Sequence, residues 1–157
     1  VNDEDALRPR WPRPALAEAY DLAPHPEGGW YRRTWTAGHD LELVGADGAR
    51  RVRPAATLIQ FCLLPGENSR WHVLRSDEVW IWNGGGTIGL QLGGVGQRPA
   101  PGVVTVLGPD PGQGQALQAL VPAGTWQRAL SEPTVRMASC LVSPGFDFAD
   151  LRIAEGD

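Results

Sequence analysis

Glycine and proline interrupt this sequence so often that no long regular element fits between them. The chain carries 20 Gly and 14 Pro in 157 residues, and the stretches they bound are of strand length. Trp30–Thr36 alternates in the β manner and is rich in Tyr, Trp and Thr. Thr57–Leu64 is a near-continuous apolar run that Pro65-Gly66 ends. Glu78–Trp82 stops at Asn83 and the glycines Gly84 to Gly86. Thr87–Leu92, Gly102–Leu107, Ala116–Val121 and Val135–Val142 read as further strands. Only Ala15–Tyr20, ahead of Pro24, has the makings of a short helix. Short strands between Gly/Pro turns predict an all-β sandwich or barrel.

Composition narrows the function classes. The length suits one domain with a real core: residues 1–14, mixing charge and proline, read as a flexible arm, and residues 15–157 as a single barrel domain. A net charge of -4 leaves no basic footprint for nucleic acid. All 14 basic residues are Arg, so lysine Schiff-base chemistry and Lys-dependent phosphate loops are excluded. Cys62 and Cys140 lie in apolar runs without CxxC spacing and read as small buried hydrophobes. No apolar run reaches membrane-span length and no signal-peptide pattern opens the chain, so a cytoplasmic protein without membrane contact is expected.

The chemistry concentrates in Gly66–Trp82. His72 and Glu78 lie six positions apart on what read as two strands joined by a polar turn, and Trp71, Trp80 and Trp82 accompany them. In β alternation Glu78, Trp80 and Trp82 share one face while Val79 and Ile81 take the other. Facing inward, they form the polar end of an aromatic-lined cavity. His72 and Glu78 there bind a metal, move a proton or brace the fold.

The spacing Gly66-x5-His72-x-Leu74-x3-Glu78-x6-Gly85 resembles the first cupin motif, and Pro122-x-Gly124-x2-Gln127 the core of the second. Pro24-His25-Pro26-Glu27-Gly28-Gly29, Trp71-His72 with Glu78-Val79-Trp80, Val121-Pro122-Ala123-Gly124-Thr125-Trp126-Gln127 and Pro144-Gly145-Phe146-Asp147-Phe148 are similar, in order, to blocks of a small single-domain cupin family of unassigned function. The resemblance implies a double-stranded β-helix, or jelly-roll barrel, with a short N-terminal helix, often paired as a homodimer. Cupin metal sites use three histidines and a glutamate. Here His72 and Glu78 stand at two of those positions, Leu74 and Gln127 at the others, and Ile81 stands where this family often has histidine.

Three readings follow. The first is an isomerase-, epimerase- or lyase-type enzyme on a small molecule, with His72 as acid/base, Glu78 as its partner and Gln127 placing a substrate oxygen. Trp80, Trp82 and Trp126 form the walls, and Tyr31, Arg32 and Glu27 of the Pro-rich turn and first strand stand at the mouth. A zinc, nickel or iron ion held weakly by His72, Glu78 and Gln127 is compatible with it. The second is a non-catalytic binding module for a sugar, nucleotide or other ring-bearing metabolite. The third, a metal-dependent oxygenase, is disfavoured by the two missing histidines.

Overall fold

A computed structural model of the protein describes residues 12–156. Within them lie helix α1 (Ala15–Ala19) and strands β1 (Ala23–Pro24), β2 (Trp30–Thr36), β3 (Asp40–Val44), β4 (Arg50–Pro54), β5 (Thr57–Leu63), β6 (His72–Leu74), β7 (Asp77–Gly85), β8 (Ile88–Leu92), β9 (Val104–Leu107), β10 (Gln118–Val121), β11 (Gln127–Ala129), β12 (Arg136–Ser143) and β13 (Leu151–Ile153). A six-stranded sheet runs in the order β1-β2-β5-β12-β7-β10 and faces a five-stranded sheet, β13-β6-β11-β8-β9, with β3-β4 as a separate hairpin. The order of these antiparallel strands makes the fold an all-β jelly-roll barrel with one short helix.

Alternation explains the core. Along β12 the burial pattern switches residue by residue, with Arg136, Ala138, Cys140 and Val142 buried, and β7 does the same with Glu78 and Trp80. Of these, Trp80, Ala138 and Cys140 meet Tyr31, Phe61, Leu63, Ile88, Leu90, Leu107 and Val121 in one apolar cluster between the sheets. Trp80 is 1 % exposed and stands edge-on to Phe61 at 5.4 Å. Burying an indole of this size contributes a few kcal/mol. Two smaller clusters sit outside the barrel. Helix α1 lays Ala17 on Leu22 and Cys62, while Trp71, Val73 and Trp126 pack together.

The strands expected from sequence are present with shifted ends. β7 runs three residues past the expected stop, to Gly85. Gly84 and Gly85 supply φ values of 157° and 78° there, and the β12 pairing shifts register between Met137 and Ala138. The hairpin β3-β4 and the three-residue strands β6, β11 and β13 were not expected as bounded elements. Residues 1–11 of the expected flexible arm lie outside the described residues. At its inner end Arg13 is held, donating to Asp21 Oδ1 at 3.1 Å and to the Leu22 carbonyl at 2.8 Å. Among the described residues no helix is long and apolar enough to cross a membrane.

At one end Arg136, 1 % exposed, donates to the carbonyls of Leu130, Glu67 (2.7 Å), Thr134 (3.2 Å) and Leu64 (3.3 Å). Carbonyls thus replace the water this guanidinium gave up and tie two loops together. The other end carries the cavity.

Candidate functional site

The cavity lies where β2, β5, β6, β7 and β12 send alternate side chains inward: Tyr31, Ile59, Phe61, Leu74, Glu78, Cys140 and Val142. Two irregular segments complete it. One is the turn carrying His25 and Glu27, the other the stretch after β12 that contributes Phe146. Its free volume is about 20 Å³, room for little more than one water.

Backbone bonds fix the turn. His25 N–H donates to the Gly29 carbonyl and Gly28 N–H to the His25 carbonyl, both at 2.9 Å, while the Glu27 carbonyl accepts from Arg70 N–H at 2.6 Å. Gly28 has φ 105°, and a Cβ there would lie 2.6 Å from the Asn68 carbonyl oxygen. Only glycine satisfies both constraints. The turn is thereby pressed against the segment leading into β6, and Glu27 reaches His72.

His72 Nδ1 lies 2.8 Å from the Arg70 carbonyl oxygen. A carbonyl only accepts, so Nδ1 carries a proton and the neutral ring offers a lone pair at Nε2. Nε2 lies 3.0 Å from Glu27 Oε2, a distance at which the two atoms share one proton. Burial lowers the His72 pKa to about 4 against the pull of the Arg70 carbonyl. Burial, with the charge of Glu78, raises the Glu27 pKa well above the usual carboxylate range. The proton therefore resides on Glu27, which donates it to a neutral imidazole. His25, lowered to about 3 by burial and by His72, accepts from Glu27 N–H at Nδ1 (3.3 Å) and stands edge-on to Tyr31 at 4.8 Å.

Glu78 sits in a different network. Trp80 Nε1–H, a donor only, bonds Gln127 Oε1 at 2.8 Å, which turns the amide so that Nε2 donates to Glu78 Oε2 at 2.5 Å. Burial pushes Glu78 up to about 7, and donors from Gln127, Cys140 and Trp80 hold it from rising further. The cavity thus holds one carboxyl acid, Glu27, and one carboxyl group poised near neutrality, Glu78.

Of the residues expected at the site, Glu27, Tyr31 and Glu78 line the cavity. His72 and Gln127 stand behind the lining, His72 bonded to Glu27 rather than to Glu78, and Gln127 bonded to Glu78. The expected tryptophan walls are elsewhere. Trp80 is consumed by the core and by Gln127. Trp82 packs against the core with its indole N–H on the Gly86 carbonyl at 3.0 Å. Trp126 stands outside the barrel, donating to the Gly96 carbonyl at 2.9 Å. Phenylalanine and aliphatic side chains line the cavity instead. Arg32 is exposed and bonds Gln60 at 3.2 Å; Arg33, on the alternate face, bonds the Phe146 carbonyl at 3.2 Å. His25, from the Pro24–Gly29 block, also lines the cavity, as do Thr57 and Cys140, which no sequence pattern singles out beyond alternation on β5 and β12.

The donors named for a metal do not fit one here. Gln127 spends its oxygen on Trp80 and turns N–H toward Glu78, His72 Nε2 faces Glu27, and Leu74 stands where a histidine would contribute a ligand. Among the described residues no three His, Cys, Asp or Glu side chains are disposed to hold an ion together.

The family profile described as Cupin_5, cupin superfamily (DUF985), matches residues 14–154. A hypothetical protein from Leishmania major is 30% identical, with 88% of this chain and 85% of that chain covered and a TM-score of 0.74. A protein from Shewanella oneidensis solved by X-ray crystallography is 28% identical, with 88% and 82% covered and a TM-score of 0.73. A DMSP lyase from Ruegeria pomeroyi is similar in fold, at 16% identity, 76% and 53% coverage and a TM-score of 0.50. Among curated proteins none matches the sequence.

Proposed function

The chain belongs to the Cupin_5 (DUF985) family of the cupin superfamily, and we propose that it is a small-molecule enzyme of isomerase, epimerase or lyase type that works by proton transfer. One observation carries this reading: Glu27 Oε2 lies 3.0 Å from His72 Nε2, a distance that holds one proton between them, and both Glu27 and Glu78 line the cavity. In this scheme the Glu78 carboxylate removes a proton from carbon beside a carbonyl. The electron pair moves into the carbonyl, and the oxygen takes the proton from Glu27. Return of a proton to the other face, or to the neighbouring carbon, gives the isomer; departure of a β-substituent gives the lyase outcome. At rest the proton of Glu27 lies in the hydrogen bond to His72 Nε2, whose ring the Arg70 carbonyl fixes. Its transfer to the substrate oxygen breaks this bond and leaves Glu27 as the carboxylate, which is reprotonated when the proton returns from that oxygen. No step passes through a metal.

The test needs no known substrate. The protein is incubated in D2O with small keto acids, hydroxy acids and aldoses, and carbon-bound deuterium is read by NMR. The expected result is incorporation into one class, reduced at least about a hundredfold in Glu78→Gln and Glu27→Gln, the usual scale for losing a general acid or base. A compound retained tightly with no exchange in wild type would sink the proposal and leave the binding module. With about 20 Å³ of free volume the cavity admits neither a substrate nor a ring-bearing ligand as it stands, so both readings require the Phe146 wall to move aside.

A further inference from the structure

Three arginines converge on one carboxylate beside the cavity. Asp150, whose side chain is 7 % exposed, receives Arg53 Nε at 2.6 Å, Arg51 Nε at 3.8 Å and Arg75 Nε at 4.0 Å. Asp147, half exposed, lies 3.9 Å from Arg53 Nη1. Three guanidinium groups thus face two carboxylates, and one positive charge is uncompensated among these five side chains. The Arg51 Nε–H is buried without a hydrogen-bond acceptor, a defect worth about 1–3 kcal/mol unless something accepts from it. The cluster is joined to the cavity at two points. Arg75 follows Leu74, and Asp147 follows Phe146, both of which line it. Phe146 N–H in turn donates to Thr57 Oγ1, also in the lining, at 2.9 Å.

We propose that Arg51 and Arg75, held in place around Asp150, form an anion subsite at the cavity rim, and that the substrate of the proton-transfer site carries a carboxylate or phosphate group seated there. The subsite rests on the reading of the cavity as a small-molecule site. It selects small anions over neutral sugars: the charged end stays on the guanidinium groups, and the carbon to be deprotonated projects past Phe146 toward Glu78. Guanidinium forks suit either oxyanion.

Inorganic phosphate and propanoate are titrated into the whole protein at constant ionic strength, following arginine Nε–H and backbone amide NMR signals. The expected result is a saturable shift of the Arg51 Nε–H signal together with the Thr57 and Phe146 amides, the tighter anion naming the group. Arg75→Gln, at a 63 % exposed side chain, weakens binding about fivefold, the worth of one partly exposed charge contact, without changing the melting temperature. Arg51→Gln weakens it further. Non-saturating shifts, an unchanged affinity in Arg75→Gln, or arginine shifts without Thr57 and Phe146 would overturn the proposal. Since no turnover is measured, anion binding and deuterium exchange fail independently.

Discussion

At the scale of single residues, the site is defined by where protons sit. The Arg70 carbonyl fixes the His72 tautomer, and the Trp80 indole fixes the Gln127 amide; neither outcome depends on a substrate. The consequence is measurable. With side-chain carboxyl carbons labelled, Glu78 is expected to titrate near pH 7, and a midpoint near the ordinary 4.5 would refute burial as the dominant influence. Cys140→Ala removes a donor to the carboxylate and is expected to move that midpoint upward; Cys140→Ser restores it. Trp80→Phe leaves Gln127 Oε1 without its partner. The loss of stability expected is about 1–3 kcal/mol, read from the denaturation midpoint, with the Phe61 contact largely kept.

At the scale of elements, irregular segments position the chemistry while the strands supply the walls. The hairpin β3-β4 holds the stretch after β12 through half-buried Arg53 and buried Asp150, whereas Arg50 and Glu42 on the same hairpin pair in solvent. Arg53→Ala is expected to cost about 3 kcal/mol because it strips a buried carboxylate of its nearest partner; Arg50→Ala should cost less than about 1. Equal losses in urea denaturation would contradict this account. Alternation made the strands and the shared face of Glu78 and Trp80 legible in the sequence, and the cupin resemblance turned that face inward. The same rule, applied to Trp126 and Gln127, puts the indole on the face opposite the amide, and Trp71 stands likewise opposite His72. Expecting Trp126 on the cavity wall read residue type ahead of position. Glu27 lies in a turn, where no periodicity applies, so its meeting with His72 depends on tertiary bonds to Arg70. Strands β6, β11 and β13, of three residues each, are too short to leave a pattern, and charge masks β3-β4 despite Asp47-Gly48 between them.

At the scale of the whole molecule, the buried titratable groups oppose one another, and the balance sets where the fold is most stable. His25 and His72 have folded pKa values near 3 and 4 against 6.5 for an exposed ring. Between those values the unfolded chain binds more protons, so their contribution to stability is present above about pH 6.5 and is lost on acidification. Glu78, near 7 against 4.5, and Glu27, raised further, act in reverse: the folded chain binds more protons, and stability is lost as pH rises from 4.5. The two trends offset between about pH 4.5 and 6.5, giving a plateau there with losses on either side. The difference between Glu78→Gln and wild type isolates one group from the rest. Below pH 4.5 both forms carry an uncharged side chain and the difference is constant. It then grows in favour of the variant by about 1.4 kcal/mol per pH unit, levels off above pH 7, and totals roughly 3 to 4 kcal/mol at most. Urea denaturation of both proteins from pH 4 to 8.5 measures it. A flat difference would mean that the Glu78 carboxyl ionises in the folded protein near its ordinary 4.5, which would also remove the general base from the proton-transfer scheme as a group poised near neutrality.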